Sequence, residues 1–386
     1  MIMSENPIPK TSNMVGLITL TGQFNYGNRL QLFATSEAYK SFGYCPIALE
    51  MPDDCVRIEK IVRKLRLLLG DVPGDDPQAL STDGRLAAFK RFAAKLNSMR
   101  IVSSKELDLD SFRYFSVGSD QVWNPGAICT GRSASMLSNV YHWIVSRGRA
   151  KHLYDWYFLG FCRKDQRIAL APSLGVDHLD SSQARAIAHG VGNFSRVSVR
   201  EGRGAGLIEE CSGAAAEVIC DPTLVLTAEK WRSVADGRCT PSTPYVLTYL
   251  LGGAGPEADA VLDRVTGHGQ VPVIPLSDRQ KTGEPDAGPA EFIDLIDHAS
   301  HVVTDSFHAA VFSSILHTPL TITHREGGTS MFSRLEQLSQ MLGIEEKVYG
   351  SPTYDLARAG EYDGVDEAIA REREKFMSYL GECLNG

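Results

Sequence analysis

Short runs of β-branched and apolar residues recur along this chain, each closed by a turn and followed by a longer helical pattern. Residues 16–21 (GLITLT) lead into the turn-rich stretch 22–27, and residues 28–42 then show helical spacing. The unit returns at 112–117 (FRYFSV), 167–171 (RIALA), 196–199 (RVSV), 217–220 (EVIC), 245–250 (YVLTYL), 271–275 (VPVIP) and 301–305 (HVVTD). Strands alternating with helices predict βαβ units and mostly parallel sheets. No period of about 20–50 residues recurs, which argues against a solenoid. The 386 residues leave room for two such α/β halves with a cleft between them. Polar residues, Gly and Pro cluster at 236–244 (DGRCTPSTP), before a fresh strand. The expected division is therefore 14–240, then 241–352, with a helical tail at 353–386 able to cross back onto the first half.

Composition narrows the function. With 47 acidic side chains against 39 Lys and Arg, the formal net charge is -8, unlike a protein that coats nucleic acid. The opening MIMSENPIPKTSN has no cationic segment ahead of an apolar core, and no apolar run approaches the roughly 20 residues of a membrane span. A cytoplasmic protein is expected. The eight cysteines form no C-x-x-C pair, so reduced thiols are expected rather than a disulfide framework or a zinc site. Two basic segments stand apart. Residues 57–69 carry Arg57, Lys60, Arg63, Lys64 and Arg66, and residues 85–100 carry Arg85, Lys90, Arg91, Lys95 and Arg100. Helices of this kind can rest on anionic lipid at the inner face of a membrane. They can equally be solvated helices packing an apolar face on a sheet, which is the favoured reading. The aromatic and basic stretch 129–161 reads as an excursion between strands, a lid or a docking surface.

Four junctions hold chemistry-bearing residues. In HVVTDSFHAAVFSSI (301–315) a short strand ends at Asp305, Ser306 is placed to cap the next helix, and His308 falls in its first turn. A helix N-terminus presents unpaired N–H groups to an anion, and a histidine there adds a hydrogen bond or a proton. In VSVRE (197–201), Arg200 and Glu201 end a strand, where open α/β sheets place ligands and where arginine makes a bidentate anion clamp. In GSDQVWN (118–124), Ser119 and Asp120 follow a strand, with Trp123 and Asn124 placed to stack and hydrogen-bond a sugar. In NYGNRLQ (25–31), Asn25 and Asn28 join the first strand to the first helix, without a dinucleotide or phosphate-loop fingerprint. The histidines 298, 301 and 308 lack metal-ligand spacing, and no metal is expected.

Taken together, NYGNRLQ, GSDQVWNP (118–125), PSLG (172–175), SVRE (198–201), DPTLVL (221–226), TDSFHAAVFSSILHTP (304–319) and SRLEQLSQMLGI (333–344) resemble the polysaccharide pyruvyltransferase family. The resemblance implies a GT-B-like α/β fold, two Rossmann-like domains with mostly parallel sheets facing a cleft. It also implies phosphoenolpyruvate as donor substrate, bound by Arg200 of SVRE, and a functionally essential His308 in SFHA. DPTL and PSLG read as structural. Arg334 lies in a matching motif and takes an anion-binding role.

The reaction so implied moves pyruvate onto a sugar as a ketal, in cell-surface polysaccharide or glycan-precursor synthesis, with no cofactor. Arg200 would hold the donor's phosphate or carboxylate. Ser306 and its helix end would hold the phosphate, with His308 binding it or protonating it. Asp120 and Glu201 are alternatives for taking the acceptor's proton. Asn25, Asn28, Ser119, Trp123 and Asn124 are expected on the acceptor side. The acceptor would be a polysaccharide sugar or a lipid-linked oligosaccharide, which would give basic helices a membrane to touch. A GT-B glycosyltransferase using a nucleotide sugar and a non-catalytic sugar- or phosphate-binding protein remain the alternatives.

Overall fold

The computed structural model of the chain describes residues 13–20, 24–50, 82–101, 103–128, 153–325 and 332–385. The first half holds a five-stranded sheet of β1 (Met14–Ile18), β2 (Cys45–Glu50), β3 (Ser98–Arg100), β4 (Phe112–Val117) and β5 (Arg167–Ala169). Its order is β3-β2-β1-β4-β5, and every pairing is parallel. A parallel pair, β6 (Ser198–Val199) and β7 (Glu217–Val218), continues beyond β5. The join is made by Arg200 N–H to the Pro172 carbonyl (3.2 Å) and by the Ser198 hydroxyl, which donates to the Ala169 carbonyl at 2.7 Å. This is the strand order of a Rossmann half. The second half holds β8 (Val246–Tyr249), β9 (Val273–Leu276), β10 (His301–Thr304) and β11 (Leu320–Ile322) in the parallel order β11-β10-β8-β9. Two parallel α/β halves are what the alternating sequence pattern and the GT-B-like expectation call for.

The longer helices are α1 (Tyr26–Ser41), α2 (Asp83–Ala93), α3 (Ser181–Val191), α4 (Gly202–Ser212), α5 (Pro256–Val265), α6 (Pro289–Asp297), α7 (Phe307–Leu316), α8 (Ser333–Leu342) and α9 (Val365–Asn385). The first of these begins two residues ahead of the predicted 28–42, because the Asn25 side chain accepts from Asn28 N–H at 2.9 Å and caps the turn. Among the described residues, no helix is long and apolar enough to cross a membrane.

One apolar cluster runs through both halves, from Val15 and Phe33 through Trp231 to Phe292 and Phe312. Helix α2 shows how. It precedes β3 in the chain, yet it packs on α6, where a Cβ on Gly288 would lie 2.7 Å from the Ala88 backbone. Thr82 N–H donates to Gln280 (3.0 Å), and Arg91 pairs with the buried Glu291 at 2.6 Å. The segment thus packs an apolar face, as the favoured reading has it, but on a helix rather than a sheet, and one of its cations is not solvated. Arg85 is 1% exposed, enclosed by the Phe24, Tyr26 and Phe89 rings with its guanidinium carbon 5.0 Å from the Tyr26 centroid. A cation so enclosed cannot reach a membrane. Residues 57–69 lie outside the described residues, as do 129–152 of the expected excursion. The end of that excursion is core: Trp156, Tyr157, Phe158 and Leu159 are all buried. Helix α9 lies on the first half, with Tyr379 donating to the Ala169 carbonyl and Tyr114 to the Leu384 carbonyl, both at 2.9 Å.

Candidate active site

The carboxyl ends of both sheets meet around Asp221, which follows β7. Its side chain is fully buried. Oδ1 accepts from the Thr223 amide (3.0 Å) and hydroxyl (2.7 Å). Oδ2 accepts from Arg200 Nη1 at 2.7 Å and from the Ser119 hydroxyl at 3.2 Å, and faces His308 Nε2 at 3.8 Å. Asp221 thereby ties the strand-end arginine of the first half to the helix-end histidine of the second. Burial alone would raise its carboxyl; His308, Arg200 and the Thr223 amide outweigh burial and hold it far below the usual carboxylate range.

Arg200 is buried, but burial is outweighed by Asp221, Glu201 and Asp120, so the guanidinium charge is held more firmly than usual. Its carbon lies 5.0 Å from the Phe307 ring centroid, and Nε, 4.0 Å from Glu201 Oε2, makes no hydrogen bond. Glu201 is fixed through its other oxygen, which accepts from the Ser173 hydroxyl (2.9 Å), Leu174 N–H (2.8 Å) and Gly175 N–H (3.2 Å). Those donors belong to PSLG, so this motif orients a site carboxylate. The Glu201 Oε2 and His308 Nε2 atoms, like Arg200 Nε, are buried without a hydrogen-bond partner. Buried polar atoms are rarely left so. Beside them a small open hollow is lined by Arg200, Glu201, Asp221, Phe307, Arg334 and Gln337, among others.

Arg334 enters from α8. Burial, then the nearby Arg200 charge, lower its guanidinium to about 10, with Glu201 and Asp120 opposing. Two guanidiniums that repel one another in a buried place gain when an anion joins them. With its amide oxygen turned towards Arg334, Gln121 accepts from both terminal nitrogens at 3.2 and 3.1 Å. From the same helix Gln337 donates to the Arg200 carbonyl (3.3 Å) and accepts from Gly202 N–H (3.1 Å), fastening α8 over SVRE.

The remaining expected residues separate by role. Asn25 is a helix cap, and Asn28 is buried in the first turn of α1. Between them Gly27 touches the histidine: a Cβ there would sit 2.0 Å from His308 Nδ1. Ser119 is buried, its amide donating to Gln31 (3.2 Å). Gly118 holds φ of +137°, and a Cβ would fall 1.8 Å from the Leu170 carbonyl oxygen, so only glycine fits this turn. Asp120 accepts from Gln121 N–H at 2.7 Å, and its charge reaches both arginines. Asn124 closes its own turn through Gly126 N–H at 2.9 Å. Trp123 corrects the sugar-stacking expectation. It is fully buried, stacked on Phe158 at 5.1 Å, with its indole N–H on the Tyr157 carbonyl, because residues 153–161 fold over it. Ser306 stands at the N-cap of α7, but its hydroxyl makes no cap bond.

The model of one protein family, "polysaccharide pyruvyl transferase", matches residues 25–322. The chain belongs to the polysaccharide pyruvyl transferase family. Membership makes it a transferase of polysaccharide biosynthesis with a sugar or polysaccharide acceptor. The pyruvyl transferase match contains Gly27, Ser119, Arg200, Asp221 and His308, whereas Arg334 and Gln337 lie beyond its end. No curated protein matches this family member. Among solved structures, UGT89C1 of Arabidopsis thaliana complexed with UDP-L-rhamnose is 11% identical, covering 95% of this chain and 94% of that chain, with a TM-score of 0.42. A glycosyltransferase from Rickettsia africae is 8% identical over 96% of this chain and 95% of its own, with a TM-score of 0.38. SnogD, a glycosyltransferase from Streptomyces nogalater, is 11% identical over 95% of each chain, with a TM-score of 0.37.

Sequence reasoning passed over Asp221, Gly27 and Gln337. Asp221 carried a signal, an acid directly after a strand end, but the DPTL motif read as structural. It is a cap as well, through Thr223.

Proposed function

We propose that the chain transfers pyruvate from phosphoenolpyruvate to two hydroxyls of a sugar, forming a ketal and releasing phosphate. The observation that supports this most is the hollow lined by Arg200, Asp221 and Arg334, with His308 of the second half facing Asp221 at 3.8 Å. Phosphoenolpyruvate carries a carboxylate and a phosphate on neighbouring atoms, and two guanidiniums from different elements suit that pair of anions. His308, in the first turn of α7, faces the phosphate and supplies the proton or hydrogen bond for its departure. Asp120 and Glu201 balance the guanidiniums, and Glu201, fixed by three donors, orients Arg200. The donor is a substrate, and the reading calls on no further cofactor. The acceptor is a sugar of a surface polysaccharide or of its lipid-linked precursor, met on the cytoplasmic side.

Phosphate release from phosphoenolpyruvate, measured with a panel of sugar acceptors, tests this directly. Arg200→Lys and His308→Ala should each lower turnover at least about a hundredfold, since anion and acid–base contributions are of that size. Phosphoenolpyruvate should raise the melting temperature of the wild type, because a ligand bound only by the native state stabilises it. A shift with UDP-sugars and none with phosphoenolpyruvate would favour the nucleotide-sugar alternative instead.

A further inference from the structure

Resting on that donor reading, we propose that Asp278 exchanges the proton with the acceptor sugar, in a subsite at the carboxyl ends of β8, β9 and β10. Parallel register brings this residue to the site. Tyr249 pairs with Leu276 on one side and Thr304 on the other, so the three strands end level. Asp278 stands two residues past the end of β9, and His308 stands four past the end of β10. Strands lie about 4.8 Å apart, so these two strand ends are about 10 Å apart across β8. Side chains extending from them can reach a single small substrate.

The surroundings differ from those of Arg200. The Tyr249 hydroxyl donates to Asp278 Oδ1, and Tyr249 is set edge-on to Tyr26 at 5.4 Å. Gly27, next to Tyr26, touches the His308 ring. Asp278 is thus linked to the histidine through a short run of contacts. Arg85 lies behind Tyr26, with its Nε buried and without a hydrogen-bond partner. The half-buried Asp278 carboxyl, held by the Tyr249 hydroxyl, offers an acceptor hydroxyl a proton partner. The charged and titratable groups facing Asp278 are Tyr249 on β8, Tyr26 on α1, Arg85 on α2, Arg325 after β11 and His308 on α7, while Glu284 on the same loop acts on Tyr26. Burial lifts its carboxyl above the ordinary value, against the opposing pull of Tyr249, Arg85, Arg325 and His308. A carboxyl shifted in this direction holds a proton more firmly than a free one, which suits proton exchange.

The first acceptor hydroxyl forms a C–O bond to the enol ether carbon while the double-bond pair takes a proton from the Asp278 carboxyl onto the methylene carbon. The hydroxyl's own proton restores that carboxyl. The bond to phosphate then breaks with its electron pair on phosphate. The second hydroxyl adds, and its proton leaves with the phosphate.

Asp278→Asn and Tyr249→Phe test the assignment in the full chain, with phosphoenolpyruvate and methyl hexopyranosides as probes. Asp278→Asn should lose about a hundredfold or more in kcat yet keep the wild-type melting shift with phosphoenolpyruvate. Tyr249→Phe removes a hydrogen bond that favours the charged carboxyl, so the kcat–pH limb belonging to Asp278 should move to higher pH. Wild-type turnover in Asp278→Asn, or loss of its phosphoenolpyruvate shift, overturns the inference. So does an unmoved limb in Tyr249→Phe, which decides the matter if the asparagine variant does not fold. A wild type that neither binds phosphoenolpyruvate nor releases phosphate from it sinks the donor reading first, whatever these variants do.

Discussion

At one rim of the site Asp221 is enclosed by a guanidinium, an imidazole, two hydroxyls and an amide, and its carboxyl is held far down. At the other rim Asp278 sits among aromatic rings with one hydroxyl donating to it, and burial carries its carboxyl up. Both are aspartates just past the end of a strand in a parallel α/β half. The difference shows that strand-end position delivers a carboxylate to the site, while the number of donors facing it decides what it does there. A carboxylate saturated by donors fixes its neighbours, whereas one left with few donors can pass a proton. Environments that push two titratable groups apart in this way are what separate fixed charges from proton carriers.

The same substitution at the two positions should therefore act with opposite sign. The largest effect is expected at Asp221. Asn there keeps the shape but leaves Arg200 without its full partner, and breaking one side of a buried pair is costly, about 3–5 kcal/mol. Asp221→Asn should lower the melting temperature by about 5 °C or more and turnover at least about a hundredfold. Its sign follows from linkage. A carboxyl held down in the folded state gives stability present above its unfolded value of about 3.9 and lost as pH falls through the folded value. The Asp221→Asn deficit should thus be full at neutral pH and shrink in strong acid, as calorimetry across pH would show. Equal stability at pH 7 would mean that Asp221 is no charge hub.

An intermediate effect is expected at Gly27. A methyl group there would meet the His308 ring at 2.0 Å, so the ring must move. Gly27→Ala should cost roughly tenfold in turnover, the scale expected for a displaced acid–base group, with little change in melting temperature. Steady-state rates that match the wild type would uncouple NYGN from the histidine. The smallest effect is expected from Asp278→Asn on stability. A carboxyl raised by folding favours the folded state most below its unfolded value and loses that advantage as pH rises through the folded one. At neutral pH the neutral asparagine should therefore raise the melting temperature, by roughly 1–2 °C. A drop instead would erase the contrast between the two aspartates.

The alternation of apolar runs with helical spacing made the two parallel α/β halves readable from the sequence. The loop-to-helix junction at Asn25 was readable too, because its cap acts on a residue three positions on. What escaped was set by contacts between distant segments. Arg85 looks like a surface cation on a helical repeat until Phe24 and Tyr26 close over it. Trp123 looks like a sugar platform until Phe158, 35 positions on, takes its face. Asp278 carries no local signal at all: only the shared register of β8, β9 and β10 brings its strand end within about 10 Å of the histidine's. Asp221 sat within a recognised motif, yet a capping acid and a charge hub look alike in one dimension.

The lodging of α2 against α6 has a consequence for anyone recombining this enzyme with its relatives. The two halves are not interchangeable cassettes, because a helix encoded in the first is seated on the second through Arg91–Glu291 and Thr82–Gln280. A chimera cut at residues 236–244 would carry the plug in one parent and its socket in the other. Successful shuffling would need α2 and α6 to travel together.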